Sequence, residues 1–252
     1  LLKDGEKPIV ICSLGDGSVT EGEVAEAFQM AVLHCLPIIY LVQDNDWGIS
    51  ATGEEMRAND VFHYASGFKG MRRMRIKGND FEKSYEEMQK AITFVRENRE
   101  PMVVHAACPL LGHHTSGVRS EWYRDDLEED EKEDPWPILR KTCIKHGILA
   151  TDLEEIKEEA QLYIKAQFDK AVAAEEPSAE QLWEHEFAPT PITEEKGVRV
   201  PEGKEPIIMV DAALFAVDEI LKKHPESLLY GQDVGKRLGG VFREAATLGD
   251  KY

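Results

Sequence analysis

One segment of the chain contains two polar stretches whose side chains could hold a metal ion and a phosphate. It begins with the triplet GDG around Asp16 and ends with DNDWG, which contains Asn45. A carboxylate and an amide oxygen are hard ligands that suit Mg²⁺, and Mg²⁺ in proteins usually takes further oxygens from phosphate. Glycines on both sides of Asp16 let the backbone approach a ligand closely. Taken alone, such a triplet is more often a tight turn, because three-residue glycine motifs are weak signals.

The elements around these residues determine whether they can meet. The runs "PIVICSL", residues 8–14, and "IIYLV", residues 38–42, are short and apolar, and they predict two buried strands. Between them, Thr20 and Glu23 have the spacing of a capping box, which predicts that a helix starts there and ends before Pro37. The predicted apolar face of this helix consists of Val24, Ala27, Phe28 and Ala31. A strand–helix–strand unit of this size predicts parallel strands.

Parallel strands would bring the two polar stretches to one edge of the sheet. Asp16 comes just after the first predicted strand and Asn45 just after the second. In open parallel sheets, ligands bind at the carboxyl ends of the strands. Residues 17–19 lead into the predicted helix, whose free N–H groups and dipole favour a phosphate. The sequence therefore predicts a site for Mg²⁺ and a phosphate group at this edge.

The whole segment from residue 15 to 50 resembles a known motif. A GDG triplet, an amphipathic helix, a strand and an Asn-Asn pair form the diphosphate-binding motif of thiamine-diphosphate enzymes. "EAFQMAVLHCLPIIYLVQDN" is similar, nearly residue for residue, to the alpha subunit of the 2-oxo acid dehydrogenases, the decarboxylating first component. Asp44 stands where the family has the first Asn of its pair. The family's metal ligand is normally the second Asn, which is intact here.

The resemblance implies roles for individual residues. The implied ligands of Mg²⁺ are the side chains of Asp16 and Asn45 and the backbone carbonyl of Trp47. The residues implied to bind thiamine diphosphate are Gly15, Asp16, Gly17, Ser18, Asn45, Trp47, Ile49 and His114.

Composition bounds the class of protein. The chain has 252 residues and a formal net charge of −18, which argues against a nucleic-acid binder. It has no apolar run long enough to span a bilayer and no signal peptide. Its four cysteines show no paired spacing, and Cys12 and Cys35 are interpreted as reduced core thiols. We therefore expect a cytoplasmic protein.

The next part of the chain predicts two more strands and a helix. Residues 71–80 hold a strand and a turn, "DFEKSYEEMQKAITFVRENRE" is an amphipathic helix, and residues 101–108 form another buried strand. The order predicts an α/β fold with a doubly wound parallel sheet. "KGND" and "EPMVVHA" also resemble the alpha subunit, so the resemblance implies a sheet of the thiamine-diphosphate-binding type.

A loop at residues 111–124 contains His113 and His114. Adjacent histidines can form part of a metal site, act as a catalytic acid and base, or lie in a surface loop. Zinc is disfavoured because no Cys or His partner has ligand spacing, and the residues alone favour a plain loop. The resemblance implies instead that His114 contacts the diphosphate and helps to shape the substrate channel, with His113 beside it. Both are therefore catalytic candidates. Thr115 and Ser116 occupy the place of kinase targets in some mitochondrial relatives.

The remaining chain predicts three parts. Thr151 and Glu154 have capping-box spacing at the start of a long helix, which we expect to pack on the body or on a partner chain through an apolar stripe of Leu153, Ile156, Ala160, Tyr163, Ile164 and Phe168. Residues 177–206 are proline-rich and charged, which is typical of a linker or wrapping arm. "GQDVGKRLGGVF" resembles the start of the beta subunit of the same enzymes. The predicted domains are therefore an alpha-type diphosphate- and Mg-binding part at 1–176, this arm, and the start of a beta-type pyrimidine-binding domain at 207–252.

The resemblance implies an oxidoreductase that decarboxylates a 2-oxo acid, pyruvate or a branched-chain acid, on thiamine diphosphate. It passes the acyl group to a lipoyl-bearing acyltransferase of a multienzyme complex. Self-association into a dimer of fused chains, equivalent to two alpha and two beta parts, is also expected. The family's catalytic glutamate lies beyond the residues present here, so this chain alone should not turn over. Two alternatives remain open, a transketolase-type enzyme with the same cofactor and a catalytically silent binding module of the same fold.

Overall fold

Four parallel strands form the main sheet of the computed structural model. The strands of the chain are β1 (Val10–Gly15), β2 (Ile38–Asp44), β3 (Trp47–Gly48), β4 (Ala51–Thr52), β5 (Arg72–Lys77) and β6 (Met102–Ala107). The main sheet has the order β1-β2-β6-β5, and β3 pairs with β4 in a separate antiparallel hairpin. Each neighbouring pair in the main sheet is parallel, which confirms the predicted α/β fold.

Helices connect these strands and follow them. They are α1 (Gly22–Leu33), α2 (Gly53–Met56), α3 (Val61–Tyr64), α4 (Phe81–Asn98), α5 (Leu127–Lys132), α6 (Pro135–Lys145), α7 (Ala150–Val172), α8 (Met209–Lys223) and α9 (Leu248–Lys251). Short 3₁₀ turns occur at Gly17–Thr20, Ala65–Gly67, Ser120–Trp122 and Glu180–Trp183. None of the helices in the described part of the chain is both long enough and apolar enough to cross a membrane.

The structure describes residues 7–117, 119–184, 186, 198, 202–231, 234, 239–240 and 243–252. The chain divides into two compact units, one of residues 4–174 and the other of residues 1–3 and 175–252. The larger unit contains the sheet and α1 to α7. Half of the predicted arm at 177–206 and most of the beta-like "GQDVGKRLGGVF" lie outside the described residues.

The core of the larger unit lies on both faces of the sheet. Successive residues of a strand point to opposite faces, and the neighbours Ile39 and Tyr40 on β2 belong to two different clusters. Tyr40 packs in the cluster that contains Phe28 of α1, whereas Ile39 packs in the cluster that contains Val95 of α4. The two connecting helices therefore cover opposite faces, as expected of a doubly wound sheet. The predicted face of α1 is confirmed, since Phe28 and Ala31 are fully buried and Val24 and Ala27 are half-buried.

Both predicted capping boxes are wrong. The Thr20 hydroxyl donates to the carbonyl of Gly17 at 2.9 Å and so completes the 3₁₀ turn, and α1 begins only after the extended residue Glu21. Thr151 lies inside the first turn of α7, whose capping residue is Leu149. In each case the threonine is one position or more away from the residue that ends the extended chain, so its hydroxyl does not cap the helix.

The apolar stripe on α7 packs only at its first residue. Leu153 is buried, whereas Ile156, Tyr163, Ile164 and Phe168 are 58 to 66 % exposed. The whole stripe therefore does not pack on the body of this unit, and its packing on a partner chain stays a prediction. The stripe instead forms an apolar surface along the outer three-quarters of the helix.

In the smaller unit, α8 is held to the residues at the end of the chain. The Tyr252 hydroxyl donates to the backbone oxygen of Asp218 at 3.1 Å, and the Lys251 ammonium pairs with the Asp218 carboxylate. Hydrogen bonds from Lys251 and Tyr252 stabilise the charged form of the Asp218 carboxylate and lower its pKa. These contacts tie α8 to the segment that contains α9.

One cysteine assignment is wrong. All four cysteines are free thiols and Cys12 is half-buried, as expected of a reduced protein, but Cys35 is exposed. Cys35 has a φ of 50° and lies in the turn that ends α1. The chain must reverse direction there to enter β2, so Cys35 faces solvent and not the core.

Candidate functional site

The predicted metal residues follow directly from two adjacent strands. The last paired residues of β1 and β2 are Gly15 and Gln43. One residue beyond this pair lie Asp16 and Asp44, both of them buried, and Asn45 comes next. The parallel register therefore brings the two ends of the opening segment to the same edge of the sheet.

An arginine that the sequence did not single out joins the acidic residues at this edge. Arg57 follows α2, its side chain is only 8 % exposed, and its guanidinium pairs with Asp16 through Nη1. Its Nη2 lies 3.0 Å from Asp44 Oδ1 and 2.9 Å from Asp46 Oδ1. Gly53 makes room for this arrangement, because a Cβ there would lie 1.9 Å from Asp46 Oδ1 and 2.5 Å from Arg57 Nη2.

Asp44 is also held from the other side. His105 Nε2 on β6 lies 2.8 Å from Asp44 Oδ2, and the backbone N–H of Asp46 donates to Asp44 Oδ1 at 3.0 Å. Burial disfavours the charged form of Asp44, but the hydrogen bond with His105 and the charge of Arg57 outweigh it and lower the pKa to about 2. Asp44 is therefore a buried, permanently charged carboxylate at neutral pH.

This depressed pKa predicts a pH-dependent loss of stability. Because the pKa of Asp44 is lower in the folded protein than in the unfolded chain, its stabilisation is complete above pH ~4 and lost as the pH falls to about 2. We expect Asp44→Asn to lower the free energy of unfolding by ~2 kcal/mol at pH 7 and to remove this part of the acid sensitivity. Urea unfolding between pH 2 and 7 measures both, with Asp125→Asn, an exposed carboxylate, as the control. Equal acid sensitivity in the wild type and Asp44→Asn would contradict this assignment.

The loop after Asn45 forms the hairpin of β3 and β4. Asn45 Oδ1 accepts the backbone N–H of Trp47 at 3.0 Å, which orients the amide oxygen and leaves it a second lone pair. Ile49, at the hairpin turn, has a φ of 64°. A β-branched residue rarely adopts this left-handed conformation, so the turn is strained at a residue predicted to contact the cofactor.

A second arginine fixes Trp47 from the segment after β6. The side chain of Arg124 is fully buried, its guanidinium lies 5.0 Å from the Trp47 ring centre, and it pairs with Asp126 at 2.8 Å and with Asp130 at 2.6 Å. Asp126 also accepts the indole N–H of Trp47 at 3.2 Å. Although burial alone would lower it, hydrogen bonds to Asp126 and Asp130 raise the pKa of Arg124. Arg124 and Asp126 therefore hold the indole ring of Trp47 in place.

A cavity of about 650 Å³ opens beside these groups at the carboxyl edge. Its size is that of a small-molecule site. Among the described residues that line it, seven carboxylates face two permanent cations, Arg57 and Lys77. Cys108 also lines it, and burial together with the charge of Asp44 raises the pKa of that thiol. Two buried lining residues have an atom without a described partner, Nδ1 of His105 and Oδ1 of Asn79.

The structure does not bring the two loop histidines to this cavity. Neither His113 nor His114 is among the described residues that line it. His113 Nδ1 accepts the backbone N–H of Ser120 at 3.1 Å, and its Nε2 lies 2.7 Å from Arg119 Nη1. His114 is exposed. Their catalytic roles stay predictions.

The turn predicted to bind phosphate differs in shape from the expected one. Residues 17–19 do not open α1. Together with Thr20 they form a four-residue 3₁₀ turn, and Glu21 separates this turn from the helix. The dipole of α1 is therefore offset from Gly17 and Ser18. The space around Gly17 is open, since a Cβ there would meet nothing within 4 Å, and Ser18 is exposed.

The donor chemistry suits a hard divalent cation. No group of three or more His, Cys, Asp or Glu side chains in the described parts of the chain is arranged as a metal site. The predicted set is of another kind, because it consists of one carboxylate, one amide oxygen and one backbone carbonyl, which Mg²⁺ accepts when phosphate oxygens complete its shell. Asp16 and Asn45 follow the ends of adjacent strands, so oxygens of the kind that such a cation takes come from one edge of the sheet. One oxygen of Asp16 is held by Arg57.

Sequence reasoning missed three of the residues that organise this site. Arg57, His105 and Arg124 contact residues far away in the chain, which are Asp16, Asp44 and the Trp47 ring respectively. Only His105 carried a signal, because a single ionisable residue in the otherwise apolar strand "PMVVHAAC" must find a buried partner.

The sheet is parallel, and a Gly-Asp-Gly turn, an Asn and an acidic cavity lie at its carboxyl edge. This arrangement is typical of α/β domains that bind a ligand at the strand ends. The sequence profile of the Dehydrogenase E1 component family matches residues 3–180 of the chain. The chain therefore belongs to this family, which depends on thiamine diphosphate.

Named relatives of the chain are alpha subunits. It is 27 % identical over 183 residues to the pyruvate dehydrogenase E1 component subunit alpha of Rickettsia bellii, covering 71 % of this chain and 56 % of that protein. It is 31 % identical over 170 residues to the 3-methyl-2-oxobutanoate dehydrogenase subunit alpha of Mycobacterium tuberculosis, covering 66 % of this chain and 46 % of that protein. The pyruvate dehydrogenase E1 component subunit alpha of Mycoplasma genitalium is 29 % identical over 183 residues, which cover 71 % of this chain and 51 % of that protein. The chain thus spans about half the length of the curated relatives it matches.

Proposed function

We propose that residues 1–176 are the diphosphate- and Mg²⁺-binding part of a 2-oxo acid dehydrogenase. The parent enzyme decarboxylates a 2-oxo acid on thiamine diphosphate and transfers the acyl group to the lipoyl group of a partner acyltransferase. The observation that carries this proposal is the emergence of Asp16 and Asn45 from adjacent parallel strands, within the residues that match the family.

In this proposal the chain binds and orients, and thiamine diphosphate supplies the electron sink when it is bound. Asp16, Asn45 and the carbonyl of Trp47 would hold the cation. Arg124 and Asp126 hold the indole ring of Trp47 in place. The further cofactor contacts are proposed for Gly15, Gly17, Ser18, Ile49 and His114.

The proposed substrate is pyruvate or a branched-chain 2-oxo acid. The names of the relatives support both, since one group acts on pyruvate and the other on 3-methyl-2-oxobutanoate. The cavity beside Asp44 has the volume for either acid, but its lining is strongly acidic. A carboxylate substrate would therefore need a cation nearby, and Arg57 and Lys77 are the two permanent cations among the described lining residues.

We also propose that residues 207–252 begin a beta-type part and that the whole protein is a dimer of such fused chains. The resemblance of "GQDVGKRLGGVF" to the beta subunit supports the first point. The exposed apolar stripe of α7 supports association, because contiguous apolar surfaces of this kind are typical of interaction sites.

Titration of the purified assembly with thiamine diphosphate in the presence and absence of Mg²⁺ tests this proposal. We expect saturable binding that depends on Mg²⁺, and lipoamide-dependent turnover of pyruvate or 3-methyl-2-oxobutanoate. We expect residues 1–252 alone to show no turnover. Turnover of a ketose phosphate without turnover of a 2-oxo acid would favour a transketolase-type enzyme. Absence of Mg²⁺-dependent binding would favour a catalytically silent module.

A further inference from the structure

Arg57 occupies the place in this site where a cation is needed. Its guanidinium is nearly inaccessible to water and contacts carboxylates from two different parts of the edge, Asp16 after β1 and Asp44 at the end of β2. A buried arginine is stable only with such partners, because an unpaired buried charge costs several kcal/mol. Arg57 is therefore fixed by the same carboxylate that the proposed function assigns to Mg²⁺.

Arg57 holds one oxygen of Asp16, and a second cation on the other oxygen of this carboxylate would lie close to the guanidinium. At ~4 Å two positive charges repel each other strongly even when partly screened by protein and solvent. A divalent ion that binds Asp16 while Arg57 remains paired with it meets that repulsion. The ion and the guanidinium therefore compete for Asp16.

The charges of Arg57 and its three carboxylate partners favour binding of a divalent cation. Asp16, Asp44 and Asp46 face the single charge of Arg57, which leaves a net charge of about −2. That is the charge that one divalent cation neutralises. Among the described contacts, His105 forms a hydrogen bond with Asp44 and with neither of the other two carboxylates.

Arg57 has other charged partners if the divalent cation binds Asp16. Its Nη2 bonds both Asp44 and Asp46 independently of Nη1, and the Asp46 side chain is 67 % exposed at the rim of the cavity. Gly53 leaves the space in which this contact forms. Loss of one hydrogen bond thus leaves the guanidinium with two charged partners.

We propose that Arg57 is an exchangeable counter-ion, which holds Asp16 while no metal is bound and gives it up to the divalent cation. This inference rests on the proposed function and deepens it, because it assigns control of cation affinity to a residue outside the ligand set. Arg57 remains paired with Asp44 and Asp46 after the exchange, where its charge faces the cavity that receives an anionic ligand.

Calorimetric titration with Mg²⁺ alone, without thiamine diphosphate, tests the exchange in the full chain with any partner that co-purifies. We expect Arg57→Gln, which keeps hydrogen bonding but removes the charge, to bind Mg²⁺ ~10-fold more tightly than the wild type. Arg57→Lys keeps the charge and should stay within ~3-fold of the wild type. Arg72→Gln, which breaks an exposed ion pair with Glu100 at the start of β5, is the matched control and should leave the affinity unchanged.

Thermal unfolding gives a second measurement that does not depend on the calorimetric signal. Without metal, Arg57→Gln should unfold at a lower temperature than the wild type, and Mg²⁺ should raise its midpoint by more than it raises that of the wild type. Adding Asp16→Asn to Arg57→Gln should abolish the gain in affinity. Equal Mg²⁺ affinity of Arg57→Gln and the wild type would contradict the proposed role of Arg57. A gain in affinity that persists without Asp16 would also contradict it. Neither result would contradict the proposed function. If neither protein binds Mg²⁺ even with thiamine diphosphate present, the proposed function fails together with the exchange.

Discussion

Replacing Asp16 by alanine is expected to weaken Mg²⁺-dependent binding of thiamine diphosphate by ~100-fold or more. Loss of a group that merely orients a metal ligand typically costs 10- to 100-fold in affinity, and removal of a charged ligand costs at least as much. The substitution also leaves Arg57 with one buried partner fewer. Fluorescence or calorimetric titration of the whole assembly with thiamine diphosphate at fixed Mg²⁺ measures the loss.

Two further substitutions make this result specific to Asp16. Asp16→Asn preserves the size of the side chain and one oxygen, so it should retain part of the affinity. Asp125→Ala removes an exposed carboxylate from the same acidic chain and should have no effect beyond twofold. An Asp16→Ala protein that binds the cofactor like the wild type, with the same Mg²⁺ dependence, would remove Asp16 from the site.

Phe28→Ala is expected to lower the free energy of unfolding by ~3 to 5 kcal/mol, the largest stability effect of the single substitutions discussed here. The ring is fully buried and packs against three other rings, Tyr40 at 4.7 Å, Phe68 at 5.4 Å and Tyr64 at 6.2 Å between centroids. Its removal leaves a cavity between α1 and the sheet that these neighbours cannot fill without moving. Chemical denaturation monitored by circular dichroism measures the change.

The matched control for Phe28 is an exposed phenylalanine on another helix. Phe81 on α4 is 61 % exposed, so Phe81→Ala should cost less than ~1 kcal/mol. Phe28→Leu keeps most of the apolar volume and should lie between the two. A loss below ~1 kcal/mol for Phe28→Ala would show that α1 is not anchored to β2 through this ring.

The strands of the sheet and their direction could be predicted from short patterns. An apolar run such as "IIYLV" followed by polar residues has few alternatives to a buried strand, and a helix between two such runs makes them parallel. Ile38 and its neighbours therefore lie where the pattern indicates, although β2 extends two residues further, to Asp44. The extension matters for function, because it brings Asp44 into the sheet and leaves Asn45 as the first residue beyond it.

The starts of the helices could not be predicted in the same way. Capping depends on which residue leaves the extended conformation last, and Thr20 and Glu23 do not reveal that the chain first makes a 3₁₀ turn. The Thr20 hydroxyl finds a nearer acceptor in the carbonyl of Gly17. Local hydrogen bonding of this kind competes with the helix cap and cannot be read from spacing alone.

The positions of Asp16 and Asn45 at one edge could be predicted, but their immediate partners could not. Arg57 is separated from Asp16 by 41 residues and reaches it only because α2 and the hairpin before it fold back over the edge. The spacing of Arg57 in the sequence matches no motif. Contacts of this type can be identified only in the tertiary structure, whereas the positions of the strand ends can be predicted from the order of the elements.

The exposed stripe on α7 affects how each newly synthesised chain interacts before it assembles. While Ile156, Tyr163 and Phe168 face water, the newly made helix offers the surface that chaperones recognise and that other unfinished chains can adhere to. If the proposed assembly covers this stripe, a chain produced in excess of that assembly is a substrate for quality control. The cellular amount of this protein should then follow the rate of assembly more closely than the rate of translation.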